Sequence, residues 1–366
     1  MLTPPDGKIL VAVSGGSDSL ALLDLLATEI ESERLCAATV DHGLRPESAQ
    51  EAQFTANFCK ARSIPHVTLK WHDGEAKQEV ARSARYDLLA RHARETGANT
   101  IALAHTQNDQ SETIVMRALR AKPDSRTRGL AGIPEYASYD GITLWRPLLE
   151  HTRQGLREHL STKGLTWVED PSNEDTKFER IRVRRALETG LGFPSSQQIA
   201  RLASLSARTQ SWLGRHSAQL ISERLASEDD SLVFSPEHGS NRLLVEDVLG
   251  TLILAKGGLT YRTKIAKYRS VVDAWMLSES AQINAGRCLI STNGNTFRVR
   301  REKRGMPKVP KDTQAGQVFD NRYRYEQRGE KLIKRPNIKA LEEFRPSWDD
   351  AVHAALMFVL NDDRST

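Results

Sequence analysis

The sequence predicts an α/β protein whose N-terminal half forms a parallel, doubly wound sheet. Two observations support this prediction. Short apolar, β-branched runs alternate along residues 8–120 with longer segments of helical composition, and such alternation is typical of parallel sheets with right-handed helical crossovers. Polar residues also follow several of these runs, at the edge of the sheet where ligands bind. After about residue 193 the composition becomes mostly helical, and a small basic region comes last.

Each element is predicted from its own pattern of apolar residues. Strands are expected at residues 8–13, 35–40, 66–69 and 100–104, and helices are expected to follow them at 20–26, 48–62, 75–97 and 109–120. Further on, helices are expected at 195–228, 242–256 and 260–277, a hairpin over 287–300 that turns at Asn293-Gly294, and a short helix after Pro346. The predicted domains are 1–193, 194–285 and 286–366.

The composition excludes several classes of protein. Apolar residues make up 39% of the chain and charged residues 27%, as in ordinary globular enzymes. No segment approaches the roughly 18 apolar residues of a membrane span, and the first residues do not resemble a signal peptide. Cys36, Cys59 and Cys288 show no metal-ligand or disulfide spacing. We therefore expect a cytoplasmic protein without membrane attachment.

The charge distribution points to a polyanionic partner. The net charge is +5, from 52 Lys and Arg against 47 Asp and Glu. Basic residues are concentrated in three separate segments, at 117–128, 177–185 and 298–345. Solvated helix faces could explain any one of them, but three in different parts of the chain favour contacts with a phosphate backbone.

The hexapeptide Ser14-Gly15-Gly16-Ser17-Asp18-Ser19 stands between the first strand and the first helix. Glycines let backbone N–H groups approach an anion, and the N-terminus of the following helix adds its positive dipole end. The serines supply hydroxyl donors, and the aspartate could hold Mg²⁺. A tight turn capped by serines is the structural alternative. The segment lacks the GxxxxGK[ST] pattern of Walker A loops and the GxGxxG pattern of dinucleotide-binding sites.

This hexapeptide resembles the pyrophosphate loop of the N-type ATP pyrophosphatases. Five further segments narrow the resemblance. They are DHGLRPES at 41–48, EVARSARY at 79–86, HTQNDQSET at 105–113, RPLL at 146–149 and WVEDPSN at 167–173. In this order they resemble the tRNA(Ile)-lysidine synthetases over roughly residues 8–185. Two positions depart from the family pattern, since Asn108 stands where many members carry an acid and Ile181 where an asparagine is usual.

The resemblance implies a reaction, its substrates and its cofactor. ATP would adenylate C2 of the wobble cytidine in an isoleucine tRNA with a CAU anticodon, and the ε-amine of free L-lysine would then displace AMP to give lysidine. Mg²⁺ would neutralise the departing pyrophosphate. The oligomeric state stays open between a monomer and a homodimer.

The candidate site residues follow from this resemblance and from their chemistry. The expected catalytic residues are Asp18, His105, Asp109 and Glu112, with Asp18 and Asp109 as Mg²⁺ ligands. The expected ATP-binding residues are Ser14, Gly15, Gly16, Ser17, Asp18, Ser19, Asp41, His42 and Arg85. A free amino acid needs both an anion for its amine and donors for its carboxylate, and the candidates are Asp170, Ser172 and Asn173. The expected tRNA contacts are Arg126, Arg128, Arg180, Arg298, Arg300 and Arg301.

Several alternatives remain open at this stage. Asp109 and Glu112 could form a capping box, His105 could be a packing residue, and Asp41-His42 could simply open a polar loop. Arg82 and Arg85, which share a helix face and suit phosphate, could instead each pair with an acid at the surface, and Asp170 could form a local turn. The alternative functions are tRNA thiolation, an NAD or GMP synthetase-type reaction, or RNA binding without catalysis.

Overall fold

The computed structural model describes residues 2–41, 43, 48–71, 78–120, 130–169, 177–190, 192, 194–259, 262–304, 318–319, 323–328 and 331–336. These residues form two compact units. The described residues up to Ala207 belong to the first unit, and those from Arg208 belong to the second. The three-domain division expected from the sequence stays a prediction.

A six-stranded sheet forms the centre of the first unit. Its strands are β1 (Lys8–Ala12), β2 (Leu35–Asp41), β3 (His66–Lys70), β4 (Ala98–Ala102), β5 (Tyr136–Tyr139) and β6 (Ile142–Trp145). The strand order is β3-β2-β1-β4-β6-β5, and all neighbours are parallel except β5 and β6. The predicted fold class, with its parallel sheet, is confirmed.

Helices cover both faces of this sheet. They are α1 (Ser17–Glu29), α2 (Ser48–Lys60), α3 (Gln78–Thr96) and α5 (Arg153–Thr162). The unit also contains α4 (Gln107–Arg120) and α6 (Glu179–Thr189), which pack against each other. On β1, Ile9 and Val11 face one apolar core that includes α1 and α5, whereas Leu10 and Ala12 face another that includes α3. Burial on both faces explains why β1 is apolar throughout instead of alternating.

Helix α5 packs against α1 and is attached to it by a buried carboxylate. Asp24 of α1 is 7% exposed in its side chain and accepts hydrogen bonds from the side chains of an arginine, a histidine and a lysine. The distances are 3.1 Å from Arg62, 2.8 Å from His159 and 2.6 Å from Lys163. His159 lies on α5 and Lys163 directly follows it, so this network fixes the position of α5 along α1.

Two strands of the first unit were not predicted from the sequence. β5 and β6 form a hairpin of four-residue strands around Asp140 and Gly141, which have φ angles of 50° and 78°. An Asp-Gly pair between apolar runs is typical of such hairpins, so a signal was present. The predicted fourth strand, 100–104, lies two residues earlier, at β4.

The second unit combines helices with an antiparallel sheet. It contains the C-terminal part of α7 (Ser196–Arg224), followed by α8 (Arg242–Gly257) and α9 (Arg269–Met276). Its sheet has the order β7-β8-β11-β10-β9. The strands are β7 (Leu225–Glu228), β8 (Ser231–Phe234), β9 (Ser280–Ala285), β10 (Cys288–Asn293) and β11 (Phe297–Arg301). Three further strands, β12 (Val318–Phe319), β13 (Tyr323–Arg328) and β14 (Lys331–Pro336), form a separate sheet.

The hairpin predicted over 287–300 is confirmed, because β10 and β11 pair on either side of Asn293-Gly294. The helix predicted over 195–228 is wrong at its end. Residues 225–228 pair with β8 as β7, and Asp229 and Asp230 make the turn with positive φ angles. The helix predicted over 260–277 begins only at Arg269 within the described residues. The helix predicted after Pro346 lies outside them. None of the described helices has the length and apolar composition needed to span a bilayer.

Candidate active site

A cavity of about 420 Å³ lies where the chain leaves the carboxyl ends of β1 and β4. The chain continues from β1 to β2 on one side, whereas β4 lies on the other side, so this is the point where the strand order reverses. Ligands bind at such a point in doubly wound sheets. The cavity is lined by Ala12, Ser14, Gly16, Ser17, Asp18, Ser19, Arg85, Ala104, His105, Asp109, Arg153, Arg157, Val168, Glu169, Arg180 and Arg184.

The predicted hexapeptide forms a tight loop at this cavity. Gly15 has a φ of +84°, and a Cβ there would lie 3.0 Å from the Thr55 hydroxyl. The Ser19 hydroxyl accepts a hydrogen bond from the Ser14 backbone N–H at 3.1 Å and donates to the Gly16 carbonyl at 3.0 Å. No side chain caps the N-terminus of α1 after Gly16. Its first backbone N–H groups are therefore suited to bind an anion.

Asp18 and Asp109 approach each other through one arginine. Arg153 donates to Asp18 at 3.0 Å and to Asp109 at 3.3 Å. Burial raises the pKa of Asp18, and Arg153 only partly opposes this rise. Burial would also raise the pKa of Asp109, but the charges of Arg180 and Arg153 outweigh it, so that this pKa is lowered. Two carboxylates from the first turns of two different helices, α1 and α4, thus share one cation.

The capping box at the start of α4 involves other residues than the sequence suggested. Asp109 accepts hydrogen bonds from the backbone N–H and the hydroxyl of Thr106, at 2.7 and 2.9 Å. In return, the Thr106 hydroxyl accepts from the Asp109 N–H at 3.4 Å. Thr106 and Asp109 therefore form the box, and Glu112 takes no part in it. One oxygen of Asp109 caps the helix, and the other contacts Arg153 and Arg180.

Glu112 lies behind the cavity wall. Its side chain is 1% exposed and accepts from Arg180 at 2.5 Å and from Arg184 at 2.7 Å. Because a buried carboxylate is costly without partners, the contacts with these arginines of α6 offset the cost of burying Glu112. Ile181, between them, is buried, so this departure from the family pattern serves packing.

Comparisons with known proteins agree with this geometry. The model of the PP-loop domain family matches residues 2–191. A tRNA(Ile)-lysidine synthase of Ruegeria pomeroyi is 36% identical over 330 residues, which cover 87% of this chain and 76% of that protein. The chain belongs to this family of PP-loop proteins. Two other tRNA(Ile)-lysidine synthases are also similar. The one from Rhizobium meliloti is 34% identical over 88% of this chain and 74% of its own length, and the one from Bartonella tribocorum is 31% identical over 90% and 79%.

His105 lines the cavity of this PP-loop protein, as predicted from its place after β4. Its Nδ1 is buried and has no hydrogen-bond partner among the described residues. Burial, assisted by the charge of Arg146, lowers the pKa of His105 to about 3. His105 is therefore neutral at physiological pH and can accept or donate one hydrogen bond in the cavity.

Sequence reasoning missed Arg153, the residue that joins Asp18 to Asp109. Arg153 is the first residue of α5, and its backbone N–H donates to the Asn108 side chain at 2.9 Å. Asn108, the other departure from the family pattern, thus helps to hold α5. The signal was the RPLL segment, which precedes α5. Arg157, one turn later, reaches Ser17 at 3.4 Å and Glu169 at 3.2 Å.

The other predicted site residues lie partly inside the cavity and partly outside it. Asp41 ends β2 and accepts from the Gly43 N–H at 2.9 Å, which is the polar loop opening considered above. Arg85 lines the cavity. Arg180, expected to contact tRNA, lies in the cavity and pairs with Asp109 and Glu112. Outside the described residues are His42, Arg126, Arg128, Asp170, Ser172 and Asn173.

The three basic residues of β11 differ in exposure. Arg298 and Arg300 are exposed on the same face of the strand, and Arg298 pairs with Glu228 at 2.7 Å. Arg301 is only 3% exposed and donates to the carbonyls of Arg287 and Glu302. The expectation that Arg301 contacts tRNA is therefore corrected, because its guanidinium is directed into the protein and stabilises the backbone.

Proposed function

We propose that this chain converts the wobble cytidine of a CAU-anticodon isoleucine tRNA to lysidine, using ATP and free L-lysine. The observation that supports this most is the uncapped N-terminus of α1 beside the paired carboxylates of Asp18 and Asp109. An anion-binding loop next to two acids provides for pyrophosphate departure and for deprotonation of an amine in a single cavity.

The reaction has two steps. In the first, the C2 oxygen of cytidine attacks the α-phosphorus of ATP, and pyrophosphate leaves toward the loop of Ser14, Gly15, Gly16, Ser17 and Ser19. In the second, the ε-amine of lysine attacks C2, the C2–O bond breaks, AMP leaves with that oxygen, and the amine loses a proton. Asp109, a carboxylate that lines the cavity, would accept this proton.

The acids of the cavity suit Mg²⁺. Asp18 and Asp109 converge on one cation, the guanidinium of Arg153, and carboxylate oxygens are the ligands that Mg²⁺ prefers. The described residues contain no cluster of three or more metal-ligating side chains, so phosphate oxygens of ATP would complete the coordination. When bound, Mg²⁺ would neutralise charge on the leaving pyrophosphate.

The remaining substrate contacts extend this proposal. Asp170, Ser172 and Asn173 would hold free lysine, because the WVEDPSN segment that contains them also contains the cavity residues Val168 and Glu169. Arg298 and Arg300, with Arg126 and Arg128, would contact tRNA phosphates, and Arg180 would do so only after leaving its carboxylate partners. A cytoplasmic location is a further expectation, and sedimentation of the purified protein decides between a monomer and a homodimer.

Pyrophosphate release tests the function directly. Purified protein is incubated with ATP, Mg²⁺ and a CAU-anticodon isoleucine tRNA transcript, with and without labelled lysine. We expect pyrophosphate release that requires the tRNA, together with label retained in the RNA. ATP consumption without RNA would indicate a small-molecule synthetase, and no ATP consumption under any condition would indicate RNA binding alone.

A matched pair of variants assigns the role of the acid. Asp18→Asn removes the carboxylate charge with little change of shape, and we expect it to abolish pyrophosphate release while the affinity for tRNA stays within a few-fold. Asp87→Asn makes the same change on the exposed surface of α3, and we expect normal turnover. Normal turnover of Asp18→Asn would remove it from the mechanism.

A further inference from the structure

Arg85 differs from the other arginines of the cavity in having no acidic partner. The other four each lie within ion-pair distance of a carboxylate; they are Arg153, Arg157, Arg180 and Arg184. No carboxylate among the described residues pairs with Arg85, although burial is strong enough to lower the pKa of its guanidinium. An anion that enters the cavity can bind Arg85 without displacing any protein carboxylate.

Two more cations extend this site away from the PP-loop. Arg82, one turn earlier on α3, lies with its guanidinium carbon 5.7 Å from the centre of the Tyr86 ring. Arg146, at the end of β6, is 6% exposed and donates to the Pro134 carbonyl at 2.9 Å, whereas its Nε has no partner among the described residues. Residues three apart on a helix share a face, so Arg82 and Arg85 lie side by side.

The cations act together on the groups between them. Burial alone would raise the pKa of the Tyr86 phenol, yet the charges of Arg82, Arg146 and Arg85 hold it below its ordinary value. The same three cations help to lower the pKa of His105. Like charges in a partly buried cluster repel one another and are costly to desolvate, which is relieved when an anion binds.

We propose that Arg85 and Arg82, supported by Arg146, bind a backbone phosphate of the RNA strand that brings the target base into the cavity. This inference rests on the proposed function. The sequence suggested ATP as the partner of Arg85, but the triphosphate already has the loop of Ser14–Ser19 and the start of α1. Arg82 is exposed whereas Arg85 lines the cavity, so the pair leads from the surface inward, as an entering polymer requires.

The test compares the two sources of phosphate separately. The affinity for a CAU-anticodon stem-loop RNA is measured by fluorescence anisotropy without ATP, and the affinity for ATP by calorimetry without RNA. For Arg85→Gln and Arg82→Gln we expect RNA binding to weaken about tenfold each, with the Kd for ATP unchanged within twofold. The slope of log K against log salt should also fall by about 0.7 to 0.9 for each lost phosphate contact.

Two controls make the outcome decisive. Arg91→Gln removes an exposed arginine of the same helix and should leave both affinities unchanged. Arg85→Lys keeps the charge and should recover part of the RNA affinity, which a general folding defect would not allow. An increase in the Kd for ATP with unchanged RNA binding would assign Arg85 to ATP and overturn the proposal. If the wild-type protein neither binds this RNA nor forms lysidine, the proposed function fails as well. If the wild-type protein forms lysidine but Arg85→Gln binds the RNA with unaltered affinity, this inference alone is refuted.

Discussion

The carboxylate of Asp24 holds an arginine, a histidine and a lysine side chain against α1, and its replacement by asparagine is expected to loosen the attachment of α5. The three contacts, from Arg62, His159 and Lys163, range from 2.6 to 3.1 Å. Asp24 is 7% exposed, but its partners are 21% to 41% exposed and can turn toward water. At about 0.5 to 1 kcal/mol for each partly exposed pair, the loss is about 2 kcal/mol.

The pH dependence of this loss follows from the pKa of Asp24. Burial alone would raise this pKa, but the hydrogen bonds from Lys163, His159 and Arg62 outweigh it, so the pKa is lowered in the folded protein. A lowered carboxyl pKa contributes stability that is fully present above its ordinary value near 4 and disappears as the pH falls through the folded value. The free energies of unfolding of the wild type and Asp24→Asn should therefore differ most near neutral pH. The difference should begin to shrink as the pH falls below about 4.

Urea denaturation followed by circular dichroism measures this difference at several pH values. Glu29→Gln is the matched control, since it also turns a carboxylate into an amide on α1 but at an exposed position. Because α5 carries Arg153, we also expect Asp24→Asn to bind ATP more weakly. Equal stability of the variant and the wild type at neutral pH, or a difference that persists undiminished in acid, would refute the reasoning.

Three further predictions concern other parts of the chain. Gly257→Ala would place a Cβ 2.2 Å from the carbonyl oxygen of Gly286 and should destabilise the second unit by about 3 kcal/mol, measured by thermal unfolding. Burial raises the pKa of the Cys59 thiol to about 11, so iodoacetamide should alkylate it near pH 8 only after urea is added. Arg301→Gln should lower the melting temperature with little effect on RNA affinity. Arg300→Gln should weaken RNA binding with little effect on the melting temperature. Equal behaviour of the two variants would contradict their different burial.

The alternating elements of the first unit could be predicted because each is a local pattern. The run at β1 and the glycines after it specify a strand, a turn and a helix without any distant partner. Strand β7 could not be predicted in the same way. Its residues continue the helical composition of α7, and only pairing with β8 beyond the turn at Asp229 and Asp230 makes them a strand.

The candidate site shows the same limit. Asp18, His105 and Asp109 could be found because they lie in the short segments and first helical turns that come after β1 and β4, at the edge where a parallel sheet binds ligands. The RPLL segment pointed to the neighbourhood of Arg153 but not to the residue itself, since its role depends on the position of α5 against α1, to which the distant contact of Asp24 with Lys163 contributes. The burial of Arg301 could not be predicted from the sequence either, because it depends on which face of β11 is covered.

The acids around the cavity each contact an arginine of their own chain, so their charges are compensated when no substrate is bound. Arg153, Arg157, Arg180 and Arg184 act as resident counter-ions, which take the place that cations from solution would otherwise have to fill. A charged substrate therefore enters by an exchange of partners, with the guanidinium groups turning from carboxylate to phosphate. The first turns of α4 and α5 can keep their form whether the nucleotide is present or has left.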